Sequence, residues 1–218
     1  HMEKGFSQLL NDIQMHKNRT HIKLTAPVDF GVKIITPLLP IFESENLSIE
    51  LDLNDELISL KKSPFDLSIR NNKDEHGLEY LELMDVENIL FCSEDYALKH
   101  KITSFTDIKN EHCLLVRNRF KSNSWNSIFE ANARSFSEHE NKQVISNSFG
   151  IIEAGSAGLG IGILPKYFIA NKLESNKLKK IQTFPTKIKP TNFYISYQNS
   201  IMAHKWALRI KNIVKNKG

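Results

Sequence analysis

Hydrophobic residues recur along this chain at two spacings, two apart and three to four apart, and the two spacings take turns. Phe6, Leu9, Leu10 and Ile13 lie three to four apart within residues 3–18, which predicts an amphipathic helix of about four turns. Its apolar stripe needs a partner, either the body of the protein or a second chain. From Ile22 to Thr25 the pattern alternates and predicts a strand. Ala26-Pro27-Val28-Asp29 then reads as a turn, with Asp29 placed to cap the next helix. Phe30, Ile34, Leu38 and Phe42 lie four apart and predict that helix, bent near Pro37 because proline removes a backbone donor. Leu47–Leu53 alternates again. Asn54-Asp55 reads as a turn and cap, and Glu56–Lys62 as a short helix that Ser63-Pro64 stops. Phe65–Arg70 predicts a third strand.

This is a β-α-β-α-β order, which implies a parallel sheet with ligands taken at the carboxyl ends of its strands. Three strand exits meet that edge: Thr25–Asp29, Asn54-Asp55 and Arg70-Asn71-Asn72. Further on, strands are predicted at Leu78–Met84, Glu87–Cys92, Cys113–Val116, Gln143–Ser146 and Asn192–Tyr197. Helices are predicted at Asp95–His100, Trp125–Ala133, Phe149–Ser156, Lys166–Asn171 and Ala203–Val214, with Asn147-Ser148 capping the third of these.

Composition and charge narrow the classes. The 218 residues are 40% hydrophobic and 25% charged, an ordinary globular balance. No run of about 18 apolar residues is present to span a membrane. The N-terminus lacks an apolar leader segment, so a cytoplasmic protein is expected, and His1-Met2 reads as the scar of a removed tag. Cys92 and Cys113 form no CxxC and match no histidine spacing, so they read as two small buried hydrophobes. Residues 1–110 carry 12 basic and 19 acidic side chains and residues 111–218 carry 17 and 6, a split that invites a nucleic-acid reading.

No catalytic motif stands out: GxSxG, HExxH and paired carboxylates are all missing, so no enzyme, cofactor or metal site is expected. The glycines of Gly158-Leu159-Gly160-Ile161-Gly162 follow a helix and enter a strand. That is the reverse of a dinucleotide fingerprint, and they read as a helix C-cap followed by a closely packed strand. Two helix starts, at Val28 and at Ser148, offer backbone N–H groups and a positive dipole end to an anion, with Arg117 and Arg119 adding charge to the second.

Several segments together resemble the effector-binding domain of LysR-type transcriptional regulators. These are Ile22–Gly31, Pro37–Phe42, Ile49–Leu53, Phe65–Arg70, Phe91-Cys92-Ser93 ahead of Tyr96, Asp107–Leu115, Trp125 and Ala157–Pro165, in this order across residues 22–215. The resemblance implies an α/β fold of two Rossmann-like subdomains joined by two crossover strands, like a type 2 periplasmic binding protein. Residues 1–21 would hold the tag scar and the end of a linker helix. Residues 22–85 plus 189–218 would form regulatory subdomain I, and residues 86–188 subdomain II. The implied function is to sense a small anionic effector in the cleft between subdomains and so modulate DNA binding by the full-length protein. DNA would be read only by a winged helix-turn-helix outside this sequence. A homodimer or homotetramer is implied, with no membrane partner. Carried over by position, one wall of the effector site is Ala26, Pro27, Val28, Asp29, Asn54, Asp55, Arg70 and Asn71. The other is Arg117, Asn118, Asn147, Ser148 and Phe149. The alternative reading is a solute-binding protein of a transport system. Counted by these subdomains, the charges nearly even out: subdomain I has 12 basic and 13 acidic residues, and subdomain II has 14 and 10. The residual positive excess favours a small anion over DNA.

Overall fold

The strands carry the regular part of the architecture, and their burial follows from the residue pattern. A computed structural model describes residues 20–117, 124–184 and 188–217. The helix expected at residues 3–18, and Asn118 and Arg119, lie outside these described residues. The chain divides into two compact units: one comprises the described residues up to Met84 and from Asn192 on, the other Asp85–Thr191.

In the first unit, β1 (Thr20–Ala26), β2 (Leu47–Leu53), β3 (Leu67–Arg70), β4 (Glu79–Val86) and β10 (Thr191–Tyr197) form one sheet in the order β2-β1-β3-β10-β4. The first three run parallel, with Thr20 opposite Leu47 and Ala26 opposite Leu53. β10 returns antiparallel to β3. Parallel strands need crossovers. The first is one helical run with three hydrogen-bond patterns. It begins as α1 (Val28–Phe30), widens to a π-turn over Gly31–Ile35, tightens to a 3-10 turn over Thr36–Leu38, and ends as α2 (Leu39–Ser44). The bend expected near Pro37 takes this form. Proline cannot donate to the previous turn and its ring crowds the carbonyl there, so the helix changes pitch around it. The closing helix α7 (Ile201–Lys217) buries Ala207, Ile210 and Val214 completely or nearly so.

The helix expected at Glu56–Lys62 shrinks to a single 3-10 turn, Leu60–Lys62. Side chains explain why. Asn54 Oδ1 accepts the Glu56 N–H at 2.9 Å, and the Glu75 carboxylate accepts the N–H groups of Leu60 and Lys61 at 2.8 and 3.3 Å. Backbone donors satisfied in this way gain little from a helix.

In the second unit, β5 (Asn88–Cys92) lies between β8 (Gly162–Pro165) and β9 (Lys179–Lys180), antiparallel to both. β6 (Leu114–Val116) pairs in parallel with β7 (Lys142–Val144), and a bridge from Leu114 to Ile161 links this pair to the chain entering β8. Every residue of β5 is buried. Its alternation then divides two cores: Leu90 and Cys92 join Trp125, Ile128 and Phe129 on one face, while Ile89 and Phe91 join Ile151, Leu164 and Ile169 on the other. Four helices cover these faces: α3 (Glu94–His100), α4 (Ser124–Glu130), α5 (Ser148–Ser156) and α6 (Lys166–Glu174). The two-residue β9 was not anticipated from sequence, because two lysines carry no strand signal. Gly158 terminates α5 with φ +79°, a left-handed cap that suits glycine, and Leu159 N–H closes the turn onto Ala154 O at 3.0 Å.

Candidate functional site

In the first unit the strand exits of β1, β2 and β3 are tied together by side chains. Thr25, at the end of β1, donates from Oγ1 to Asp52 Oδ2 at 3.0 Å and accepts from Arg70 Nη2 at 3.0 Å. Arg70 also donates to the carbonyl of Ile69 at 2.7 Å and, at 3.5 Å, to that of Glu56. Its guanidinium therefore lies inside the unit, with the residue only 9% exposed. Burial lowers its pKa from the usual arginine value, while Asp52 and Asp55 nearby oppose that shift.

The start of the first helical run is occupied by the protein's own groups. Val28 N–H donates to Asp55 Oδ1 at 2.9 Å, Phe30 N–H to Asp29 Oδ1 at 2.7 Å, and Gly31 N–H to the carbonyl of Pro27 at 2.8 Å. The N-cap is Pro27, which has no side-chain cap bond, so Asp29 lies within the first turn and takes its neighbour's N–H there, not at the cap position expected from sequence. The same geometry corrects the expectation of an anion cradle here, since two carboxylates already fill the positive helix end. Ala26 is fully buried, and its carbonyl accepts the Asn54 N–H at 2.9 Å. Of the eight residues assigned to this wall, Pro27, Val28, Asn54, Asp55 and Asn71 remain half-buried or exposed.

The second unit presents a different arrangement. Arg117 follows β6, and its Nη1 donates to Ser148 Oγ at 2.8 Å. Ser148, the first residue of α5, is buried. Asn147 is the N-cap, and its side chain accepts the Gly150 N–H at 2.8 Å. Phe149 is more than one third exposed, with its ring edge against Phe168 at 4.8 Å between centroids. A guanidinium is thereby held at the positive end of a nine-residue helix. Asn118 lies outside the described residues.

Thr25 and Asp52 were missed as site residues, as were the buried hydroxyls of Ser68 and Ser196. A signal for Ser68 and Arg70 existed. They alternate with Leu67 and Ile69 in a strand buried on both faces, where any polar side chain must have a use. Among the described residues, no cluster of three or more histidine, cysteine or acidic side chains is arranged to hold a metal ion. No helix among them is long and apolar enough to cross a membrane.

The family is decided by comparison with known proteins. The profile of the LysR substrate binding domain matches residues 16–203. This chain belongs to that family. As a LysR substrate-binding domain it is the effector-binding, regulatory part of a LysR-type regulator, in a family without enzymatic activity. It is 25% identical over 183 residues to an uncharacterised HTH-type transcriptional regulator of Haemophilus influenzae. That match covers 82% of this chain and 62% of the relative, so the chain spans less than two thirds of the relative's length. Among solved structures it resembles the regulatory domain of CrgA, a LysR-type transcriptional regulator from Neisseria meningitidis. The TM-score is 0.75 at 18% identity, over 92% of this chain and 100% of that one. It also resembles the effector domain of the transcriptional regulator AmpR of Pseudomonas aeruginosa, with a TM-score of 0.71 at 20% identity over 90% and 98% of the two chains. These likenesses establish the shared α/β fold of the LysR effector-binding domain.

Proposed function

We propose that this LysR domain senses a small anion in the cleft the family resemblance implies, and that occupancy modulates DNA binding and transcription by the full-length protein. The observation that carries the reading is the pairing of Arg117 with Ser148 at the start of α5. Guanidinium and helix dipole add there, and their summed positive potential suits a carboxylate or another small oxyanion. In the first unit, Pro27, Val28, Asn54, Asp55 and Asn71 are the expected positions that remain half-buried or exposed, and Asn54 and Asn71 supply neutral polar side chains. A ligand shifts the equilibrium of such a sensor only by its differential affinity for two conformations.

Titration calorimetry with a carboxylate library is expected to yield at least one saturable binder. Arg117→Ala then weakens it by about 1–3 kcal/mol, the worth of a charge-assisted hydrogen bond. A protein that accepts only neutral apolar compounds, or an unchanged affinity in the variant, overturns the reading. A homodimer or homotetramer and a cytoplasmic location belong to the same proposal, and sedimentation of the purified chain reads the former. A solute-binding protein for transport would share the fold, and the family match favours the regulator.

A further inference from the structure

The first unit contains a cavity of about 250 Å³. Its lining comes entirely from the first unit. Leu57, Ile58, Leu60 and Leu78 are its apolar lining, and Ser68, Arg70, Glu75, Tyr80 and Ser196 are among its polar lining. The walls are fixed by a carboxylate clamp. Glu75 accepts the Ser59 hydroxyl at 2.6 Å and the Leu60 N–H at 2.8 Å, which anchors the segment before β3 to the segment after it. Tyr80 ties the same residue from the other side, since its hydroxyl donates to the Glu75 carbonyl at 2.8 Å and accepts the Glu75 N–H at 3.0 Å.

Two of the polar residues, Arg70 and Ser68, are buried. The close acceptors of Arg70 are a threonine hydroxyl and two backbone carbonyls, all neutral. No carboxylate among the described residues lies within ion-pair distance of it, and Asp52 and Asp55 act only across longer range. Ser68 is only 4% exposed, its carbonyl accepts the Ser196 hydroxyl at 3.2 Å, and its own side chain lines the cavity. A buried guanidinium with neutral contacts and the hydroxyl of Ser68 line a space that apolar side chains also line. That combination is complementary to a planar anion on a compact hydrocarbon body.

We propose that this cavity is a second ligand site, contained within the first unit, for a small monocarboxylate with a short apolar body. Size and charge both narrow the class. About 250 Å³ lies below the ~300–1,000 Å³ typical of drug-sized ligands, so the occupant is a compact acid. Arg70 is the lining cation, while Asp74 and Glu75 also line the cavity, so one negative charge is matched and a second is repelled. A phosphate or a dicarboxylate is disfavoured for that reason. Arg70, which position alone groups with the effector residues, serves this inner site instead.

The test is titration calorimetry of the protein with isovalerate, hexanoate and phenylacetate, against isovaleramide, succinate and inorganic phosphate. At least one monocarboxylate is expected to bind saturably, with the amide, the dicarboxylate and phosphate at least tenfold weaker. Leu78→Trp, which fills the cavity from its apolar lining, is expected to abolish that binding, and Ser68→Ala to weaken it several-fold. Arg70→Gln should cost at least tenfold. Because Arg70 also supports Thr25, the Leu78 and Ser68 variants carry the test if Arg70→Gln does not fold. Arg117→Gln should leave this binding unchanged, which separates the inner site from the proposed effector site. Absence of saturable binding by all three acids overturns the inference. So does binding that survives Leu78→Trp and is lost in Arg117→Gln.

Discussion

At the scale of single residues, backbone approach and side-chain hydrogen bonding account for the positions that tolerate least change. Gly160 shows the first. A Cβ there would sit inside van der Waals contact of the Cys113 carbonyl oxygen, a backbone atom that cannot swing aside. Gly160→Ala is therefore expected to destabilise the protein by about 1–3 kcal/mol, the usual cost of overpacking, read as a lower urea midpoint with an unchanged slope. An unchanged midpoint would mean that the chain entering β8 shifts freely. Hydrogen bonding explains Glu75. Burial works against its charged form, yet the Ser59 hydroxyl and the Leu60 and Lys61 N–H groups, with Lys61 alongside, hold its pKa below the ordinary glutamate value. The group thus stays ionised and keeps its three donors down to acidic pH. Arg70 combines both themes, since burial and three acceptors fix its direction.

At the scale of elements, each helix start solves its donor problem differently. The run beginning at Val28 uses carboxylates from Asp29 and Asp55, so its positive end is already compensated. α5 uses the neutral amide of Asn147 and leaves its dipole uncompensated by acid at the cap. That difference is why the anion proposal rests on α5. Asn147→Ala should cost about 1 kcal/mol of stability through the lost cap, measurable by denaturant unfolding. Asn147→Asp should keep the cap while placing negative charge at the same helix end, so it should preserve stability and weaken an anionic effector. Equal effector affinity in the Asp variant would argue against an anion at this site. The alternation read from sequence was sufficient for β1, β2, β5 and α5. It misplaced Glu56–Lys62 because the carboxylate that occupies those N–H groups lies about fifteen residues further along the chain.

At the scale of the whole molecule, the chain crosses between two units at β4 and at β10, so the first unit is built from two separated stretches of sequence and the second from one. This is why a charge count by halves misleads: the basic C-terminal helix belongs to the same unit as the acidic first eighty residues. The second unit carries a buried histidine pair with a consequence for the stability of the protein. His112 Nδ1 accepts the Lys109 N–H at 2.9 Å, so it must be unprotonated, and His139 Nε2 lies 2.8 Å from the His112 carbonyl. Burial pushes both below the ordinary value of 6.5. Below pH 6.5 the unfolded chain then binds protons that the folded protein resists, so stability is full above that pH and falls as the solution is acidified. The thermal midpoint should drop between neutral pH and pH about 5, and a His112→Asn, His139→Gln double variant should flatten that drop. An equal slope in wild type and variant would remove the pair from the cause.

The sequence by itself determined the alternation of strands and helices, the two-unit α/β class and the family, because these depend on local periodicity and on motif order. It also placed the cap at Asn147 and the left-handed end at Gly158, since each works within a few residues of itself. Only the tertiary structure decided what the polar groups do. Arg70 meets Thr25 across 45 positions, Arg117 meets Ser148 across 31, and Asp55 reaches Val28 across 27. Which of these side chains turns inward depends on satisfying buried donors at long range. No local pattern encodes that requirement.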